Sequence, residues 1–189
     1  MLTDGSNTLA QREELDQFLS QSQKRAFVHA RYALRDEDDA LDVVQDAMLR
    51  LVRQYAQRPP SEWPGLFYRI VENRIRDVQR HRSVRQRVLG WLPGRRDAHA
   101  DEDDGFAAVR DPAAIDPARE AGGDDAMSAL QEALPGLPAR QREAFVLRAL
   151  HELSVEQTAQ AMGVTSGSVK THYSRAQAKL REQLREHWI

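Results

Sequence analysis

Near the C-terminus, residues 166–175 carry hydroxyl and cationic side chains in a pattern suited to contacting DNA. No acidic residue occurs from 163 to 181, although 30% of the whole chain is charged. Cations neutralise phosphates, and hydroxyls offer hydrogen bonds to base edges. The candidate DNA contacts are Ser166, Ser168, Lys170, Thr171 and Arg175. The alternative is an ordinary helical hairpin whose outer face is only solvated.

A second candidate surface combines basic and aromatic residues in the middle of the chain. Its members are Trp63, Arg69, Asn73, Arg76 and Arg80. The last four recur at i, i+4, i+7 and i+11, which is one stripe of a helix. Bases stack on aromatic rings while cations follow the backbone of unpaired DNA, so the pattern predicts a surface for single strands. Against this, Phe67 fits a core position, and arginines often only solvate a helix.

Catalytic chemistry is not expected. The acidic run at 36–39 could suggest a metal site, but contiguous acids point in different directions on a helix, and acids at a helix start are favoured by the macrodipole. The six histidines have neither metal-ligand spacing nor a partner nucleophile, and the absence of cysteine excludes disulfides and thiolate sites. We therefore expect no catalytic residue, no metal and no cofactor.

A helix-turn-helix pattern positions the first candidate surface. Ser154 can cap a first helix, and Gln157 can complete a capping box. Gly163 can end that helix in the left-handed conformation that costs glycine nothing. Thr165 or Ser166 then caps the second helix, whose polar side carries the candidate contacts.

Three earlier helical patterns precede it, at 9–32, 39–55 and 62–82. In the first, the predicted core residues are Leu15, Phe18, Leu19, Phe27 and Val28. In the second, the predicted buried stripe is Leu41, Val44, Met48, Leu51, Val52 and Tyr55. That stripe is complete without Asp42, Gln45, Asp46 and Leu49, so these four are free to meet a protein partner.

The chain is predicted to be all-α, with two small helical domains at 1–82 and 126–189. Between them, 83–125 is rich in Ala, Asp, Gly and Pro and poor in apolar periodicity, which predicts a flexible acidic linker. Helical pattern returns after it, and Pro138 fits the first turn of a helix that packs beneath the helix-turn-helix.

The charge distribution supports two nucleic-acid surfaces. The net charge of −2 combines four segments: eight basic and ten acidic residues at 1–60, nine and three at 61–96, two and eleven at 97–134, and eight and five at 135–189. No apolar run approaches a membrane span, and the N-terminus lacks a signal-type apolar core. We expect a cytoplasmic protein without membrane insertion.

Two segments resemble the extracytoplasmic-function sigma factors of bacterial RNA polymerase. DALDVVQDAMLRLVRQY and WPGLFYRIVENRIRDVQRHR are similar to the family's second conserved region, and LPARQREAFVLRALHELSVEQTAQAMGVTSGSVKTHYSRAQAKLRE is similar to its fourth. They occur in the family's order, separated by the expected linker. The resemblance implies a factor that binds core RNA polymerase and promoter DNA, recognises minus-35 and minus-10 elements and promotes DNA melting.

The resemblance also implies roles for particular residues. Asp42, Gln45 and Asp46 match the face that docks on the clamp helices of the polymerase's largest subunit. Asn73 matches a residue that helps hold a flipped minus-10 base, with the 58–63 loop beside it. The helix that reads the minus-35 element is matched by Ser168, Lys170, Thr171 and Arg175. An anti-sigma factor is a further partner that the family implies.

Departures from the family pattern concern promoter melting. Trp63 stands where phenylalanine is usual, Leu66 where tryptophan is frequent, and Glu72 where a neutral or basic residue is common.

Two other functions fit parts of the sequence. Val169, Lys170, Thr171 and His172 also resemble a response-regulator output domain, whose N-terminal half should alternate strands and helices around an acceptor aspartate. A metal-dependent nuclease would use the acidic run at 36–39.

Overall fold

The computed structural model describes residues 4–90 and 124–185, and all regular elements in these ranges are helical. The helices are α1 (Asp4–Leu34), α2 (Glu37–Tyr55), α3 (Trp63–Gly90), α4 (Asp124–Ala133), α5 (Ala139–Phe145), α6 (Val155–Met162) and α7 (Ser166–Gln183). Short 3₁₀ turns occupy 60–62 and 134–136, and a π-helical turn at 146–150 extends α5. The all-α prediction is confirmed. Most of the predicted linker lies outside the described residues.

The N-terminal half packs α1, α2 and α3 around a core that includes Leu51, Trp63, Phe67 and Ile75, each at most 2% exposed. The buried side of α2 consists of Ala40, Val43, Val44, Ala47 and Leu51. Small alanines on this side allow close approach of the neighbouring helices. The core prediction was therefore wrong for three residues, Val28, Leu41 and Val52, whose side chains are 51%, 42% and 44% exposed.

The acidic run before and within α2 has structural partners. Asp36 caps the helix by accepting a hydrogen bond from the Asp39 backbone N at 2.9 Å. The Arg82 guanidinium lies 3.2 Å from Asp36 and 2.5 Å from Asp39, and it also donates to the Leu34 carbonyl at 2.7 Å. One arginine thus ties α3 to the junction of α1 and α2. Within the described ranges, no cluster of three metal-ligating side chains occurs.

Helix α3 continues beyond the predicted boundary at 82 and ends at Gly90. The sequence from 83 to 89 contains neither proline nor glycine, so nothing in it terminates a helix. Ser83, Val84 and Arg85 are exposed, so the apolar pattern weakens at these positions although the helix continues.

The structure confirms the capping box, the left-handed glycine and the second helix cap that were predicted for the helix-turn-helix. Ser154 Oγ accepts from the Gln157 backbone N at 3.1 Å, and Gln157 Oε1 accepts from the Ser154 backbone N at 2.9 Å. Gly163 adopts φ 66°, and Thr165 caps α7 by accepting from the Ser168 backbone N at 3.2 Å. Pro138 is the N-cap of α5, which packs beneath α7.

The two halves are in contact along α3 and α6. One apolar cluster joins residues of both halves, including Phe67 and Val71 from α3 with Leu147, Leu153 and Met162 from the C-terminal half. A second cluster around Leu134, Leu137 and Leu180 belongs mainly to the C-terminal half. None of the helices in the described part of the chain is long and apolar enough to cross a membrane.

Candidate nucleic-acid and protein interfaces

The five residues predicted at the start of α7 lie together on its outward side. Lys170, Thr171 and Arg175 are exposed, while Ser166 and Ser168 are half-buried. The Ser168 hydroxyl lies 3.0 Å from the Thr165 hydroxyl, so it shares in the cap as well as facing outward. With the opposite side of α7 buried through Val169, Ala176 and Leu180, the helix presents a single polar surface.

Contacts between α7 and the preceding helix and turn fix the direction of that surface. Tyr173 stacks on Phe145 of α5 with ring centroids 6.0 Å apart, and the Arg148 guanidinium lies 5.7 Å from the Tyr173 ring centroid. Lys179 Nζ donates to the Gly136 carbonyl at 2.7 Å. These contacts hold the inner side of α7 against α5 and the turn before it, which leaves the outer side exposed.

A polar pocket between α2 and α3 gathers part of the second candidate surface. Its volume is about 220 Å³, and it is lined by Arg50, Gln54, Tyr55, Leu66, Arg69, Ile70 and Asn73. Arg69 and Asn73 were predicted at this surface. Arg50 and Gln54 were not, although their i, i+4 spacing on α2 is a signal that they share a side.

Trp63 requires a correction. Its side chain is 1% exposed, its Nε1 donates to the Tyr55 carbonyl at 3.1 Å, and its ring centroid lies 6.2 Å from that of Phe18. A ring so enclosed cannot stack on a base, because both faces are covered by protein. Trp63 is a core residue that closes the α2–α3 turn, and Phe67 is fully buried beside it.

The remaining basic residues of the stripe have different environments. Arg76 pairs with Glu143 of the C-terminal half at 3.2 Å, whereas Arg80 is exposed farther along α3. Glu143 also accepts from Arg140 at 3.1 Å. Burial and the nearby Glu72 charge raise the pKa of Glu143 to about 7, against the opposing effect of Arg76 and Arg140.

Glu72, one of the departures from the family pattern, is a buried structural residue. It lies 2.9 Å from His29 Nε2 on α1. Burial acts to raise the pKa of Glu72, but the His29 charge and hydrogen bond, with help from Arg76 and Arg142, bring the pKa below its ordinary value. The carboxylate therefore joins α3 to α1 and does not face a DNA surface.

The four residues predicted to meet a protein partner lie on the outer side of α2. Asp42, Gln45 and Leu49 are exposed, and the Leu49 side chain is 51% accessible. The prediction that Asp46 is free needs a partial correction, because its carboxylate forms an ion pair with Arg74 of α3. The exposed Leu41 and Val52, missed by the stripe prediction, extend this side into a mixed apolar and acidic surface.

Comparison with known families matches both halves. The Sigma-70 region 2 model matches residues 19–86, and the Sigma-70 region 4 model matches 127–180. The RNA polymerase sigma-E factor of Streptomyces avermitilis is 30% identical over 171 residues, covering 90% of this chain and 85% of its own length. The ECF RNA polymerase sigma factor SigE of Mycolicibacterium smegmatis is 28% identical over 185 residues, which cover 97% of this chain and 66% of that protein.

A solved structure has the same fold. The sigma factor RpoE of Bartonella quintana, in complex with the anti-sigma factor NepR, superposes with a TM-score of 0.65 at 24% identity, covering 90% of this chain and 96% of that chain.

Two helical regions in this order define a sigma-70 factor, a class of protein that directs RNA polymerase to promoters. Within that class, the chain belongs to the extracytoplasmic-function sigma factors. The response-regulator alternative is wrong, because it requires strands in the N-terminal half, and residues 4–90 contain none.

Proposed function

We propose that this sigma factor captures an unpaired minus-10 base in the pocket between α2 and α3 and reads the minus-35 element as a duplex with α7. The two activities would belong to domains at 1–82 and 126–189, joined by the 83–125 linker. The observation that carries the proposal is the pocket, where Asn73 shares a volume of about 220 Å³ with Arg50 and Arg69.

The pocket has the chemistry that a flipped base needs. The Asn73 amide offers both donors and an acceptor to a base edge, and the two guanidinium groups can follow the adjoining phosphates. Tyr55, Leu66 and Ile70 supply less polar walls. Extruding a base costs a few kcal/mol, so its capture favours the open duplex without any bond chemistry. On this proposal the factor itself is not an enzyme.

The outward side of α7 suits a major groove. Lys170 and Arg175 are exposed cations about 1.4 helical turns apart, with the Thr171 side chain exposed between them. The Thr171 hydroxyl donates to the Gly167 carbonyl at 3.1 Å, which leaves its lone pairs available to a base donor. Cations on this side would set the register on the phosphates, and the short side chains would read base edges.

The outer side of α2 is the proposed docking surface for core RNA polymerase. Asp42 and Gln45 supply the polar contacts, Leu49 supplies the apolar centre, and Asp46 acts through its ion pair with Arg74. Exposed leucine beside carboxylates suits a basic protein surface with apolar patches. An anti-sigma factor is proposed as a further partner, and the cytoplasm, where the polymerase acts, as the location.

Promoter selection from a random library tests this function. Core polymerase is combined with the factor, transcripts are sequenced, and the enriched minus-35 and minus-10 sequences are compared between wild type, Asn73→Ala and Arg175→Ala. We expect Asn73→Ala to relax a minus-10 position and Arg175→Ala to relax a minus-35 position. The exposed Lys24→Ala on α1 is the control. Failure of the wild-type factor to enrich any sequence would contradict the proposal.

A further inference from the structure

Gly167 lies in the first turn of α7, although glycine is a poor helix residue. Glycine destabilises a helix relative to alanine, because it loses more backbone freedom on folding than any other residue. Gly167 is nevertheless part of α7 and is exposed to solvent. The reason for the missing side chain must therefore come from the surroundings of this position.

The packing of the chain does not require glycine at this position. Gly163 adopts φ 66°, the left-handed conformation that favours glycine, and a Cβ atom at Gly65 would overlap the side-chain oxygen of Gln160 of α6. Gly167 has no positive φ, and the nearest atom to an added Cβ would be Thr165 Oγ1 at 3.8 Å, an ordinary van der Waals distance. Within the described part of the chain, an alanine would fit at 167 without strain.

Gly167 is at the middle of the outward side of α7. With 3.6 residues per turn, Lys170 lies about 60° from Gly167 on one side and Arg175 about 80° on the other, while the buried Ala176 lies about 180° away. Thr171 is exposed one turn further along, and its hydroxyl donates to the Gly167 carbonyl at 3.1 Å. The outward side therefore has little bulk at its middle and a cation on each flank.

A major groove leaves little room around a helix. The groove of B-DNA is about 12 Å wide, and a helix with its side chains is about 10–12 Å across. Side chains at the middle of the entering side therefore limit how deeply a helix can enter, whereas cations on the flanks face the phosphates of the two groove walls. Gly167, between Lys170 and Arg175, matches this arrangement.

We propose that Gly167 is the point of closest approach between α7 and the base edges of the minus-35 duplex. The inference rests on the proposed function and adds to it a positioning residue that acts through the space it leaves. A side chain at 167 would meet the bases before Thr171, Lys170 and Arg175 reach their partners. All contacts of the minus-35 surface would then weaken together.

Stability and DNA affinity should respond differently to Gly167→Ala. The added methyl group reduces the freedom of the unfolded chain and meets no clash, so urea denaturation should find the variant at least as stable as wild type. Fluorescence anisotropy with the minus-35 duplex enriched by promoter selection should show about tenfold weaker binding, because overpacking a close contact is unfavourable. A destabilised Gly167→Ala chain would place the need for glycine inside the protein and overturn the proposal.

A larger side chain at each end of α7 provides a matched pair of variants. Ala178 is exposed on the same side as Gly167, about three turns further along the helix. Gly167→Leu should weaken duplex binding by about a hundredfold, whereas Ala178→Leu should bind the duplex as wild type does. Equal losses in the two variants would contradict the proposal, because bulk anywhere on this side would then have the same effect.

Duplexes that lack one base at a time test whether the group approached by Gly167 is a base. Each position of the minus-35 element is replaced in turn by an abasic site, and the affinities of wild type and Gly167→Leu are compared. At one position the missing base should leave room for the leucine, so the ratio of the two affinities should fall toward one. A ratio that stays the same at every position would overturn the approach to base edges.

Arg175→Ala separates this inference from the proposed function. Weaker duplex binding by Arg175→Ala, together with unchanged binding by Gly167→Leu, would overturn the role of Gly167 alone. Failure of the wild-type chain to bind the selected minus-35 duplex would instead contradict the proposed minus-35 function.

Discussion

The two surfaces assigned to DNA differ in how their helices are packed. Helix α7 rests on α4, α5 and α6 through one side and presents its other side to solvent, where Lys170, Thr171 and Arg175 are exposed and Ser166 and Ser168 are half-buried. Helix α3 is contacted by α1, α2 and α6. Its polar residues are consequently divided among a pocket, ion pairs with α1 and α2, and the contact with the C-terminal half.

This difference shows what a helical stripe can and cannot establish. Spacing of i, i+4 and i+7 places residues on one side of a helix, but each neighbouring helix then covers part of that side. Asn73 and Arg76 are less than one turn apart, yet one lines the pocket and the other pairs with Glu143. On α3, tertiary packing therefore decides the role of each residue, whereas on α7 the periodicity is sufficient.

The largest effect should follow from removing the aromatic ring that the stripe wrongly assigned to DNA. Trp63→Ala should lower the free energy of unfolding by about 3–5 kcal/mol, the usual cost of deleting a buried large aromatic. Lys170→Ala, on the open surface of α7, should change it by less than about 0.5 kcal/mol. Urea denaturation measures both. A Trp63→Ala chain as stable as wild type would mean that this ring is not a core element.

The same contrast explains which features could be predicted from the sequence. The capping box at Ser154, the left-handed Gly163 and the Thr165 cap depend on residues close in the chain, and each was predicted correctly. The burial of Trp63, the ion pair of Asp46 with Arg74 and the need for glycine at position 65 depend on other helices. A tryptophan near an arginine stripe has the same local pattern whether it faces DNA or a core.

Reversing the charge of Asp46 should have the second largest effect. The new arginine would face Arg74 within the factor and the proposed basic clamp surface outside it, and like charges at an interface cost several kcal/mol. We expect Asp46→Arg to abolish co-purification with core polymerase while leaving minus-35 duplex binding intact. Glu13→Arg, exposed on α1, is the matched control. Retained polymerase binding by Asp46→Arg would remove this side of α2 from the docking surface.

Removing the amide from the pocket should have a smaller and more local effect. Asn73→Ala should weaken discrimination at one minus-10 position by about 1–3 kcal/mol, the value of a good base contact. Polymerase affinity should not change, because Asn73 lies on the pocket side of α3. Transcription from promoters with single minus-10 substitutions measures the effect. If base preference stayed the same at every position, the pocket would not hold the base.

Protonation of His151 should oppose the contact between the halves. Burial, with the charges of His29 and Arg25, lowers the pKa of His151 to about 2, whereas a separated, solvated histidine has a pKa of about 6.5. Below pH 6.5 only the separated state takes up the proton, so this contribution to closure is present above that pH and lost below it. From pH 7.5 to 5.5 it should favour separation about tenfold.

The matched variant for this effect is His151→Phe, which keeps a ring on Tyr68 but cannot bind a proton. Glu143, whose pKa is raised to about 7 in the contact, has the opposite pH dependence because closure favours its protonated form. It is present in both proteins, as are Arg25, His29 and Glu152, so the difference between wild type and His151→Phe isolates His151. Because the chain contains no cysteine, spin labels can be attached to cysteines introduced at the exposed Ser20 of α1 and Ala178 of α7. The distance between the labels at the two pH values measures the difference, and identical responses would rule out this role for the histidine.

The smallest expected effect concerns the open surface of α7. Lys170 is exposed and has no ion pair among the described residues, so a phosphate contact would be its principal interaction. Each phosphate neutralised by the protein releases condensed cations from DNA, and the affinity therefore falls as salt rises. Lys170→Ala should weaken binding to all minus-35 sequences about equally and lower the slope of log affinity against log salt by about one.

Arg76→Ala should leave the duplex slope unchanged, because Arg76 is paired with Glu143 while α7 binds. The measurement is fluorescence anisotropy of a minus-35 duplex over a salt series. A steeper loss in Arg76→Ala than in Lys170→Ala would reverse the assignment of the two surfaces, because it would place the duplex on α3.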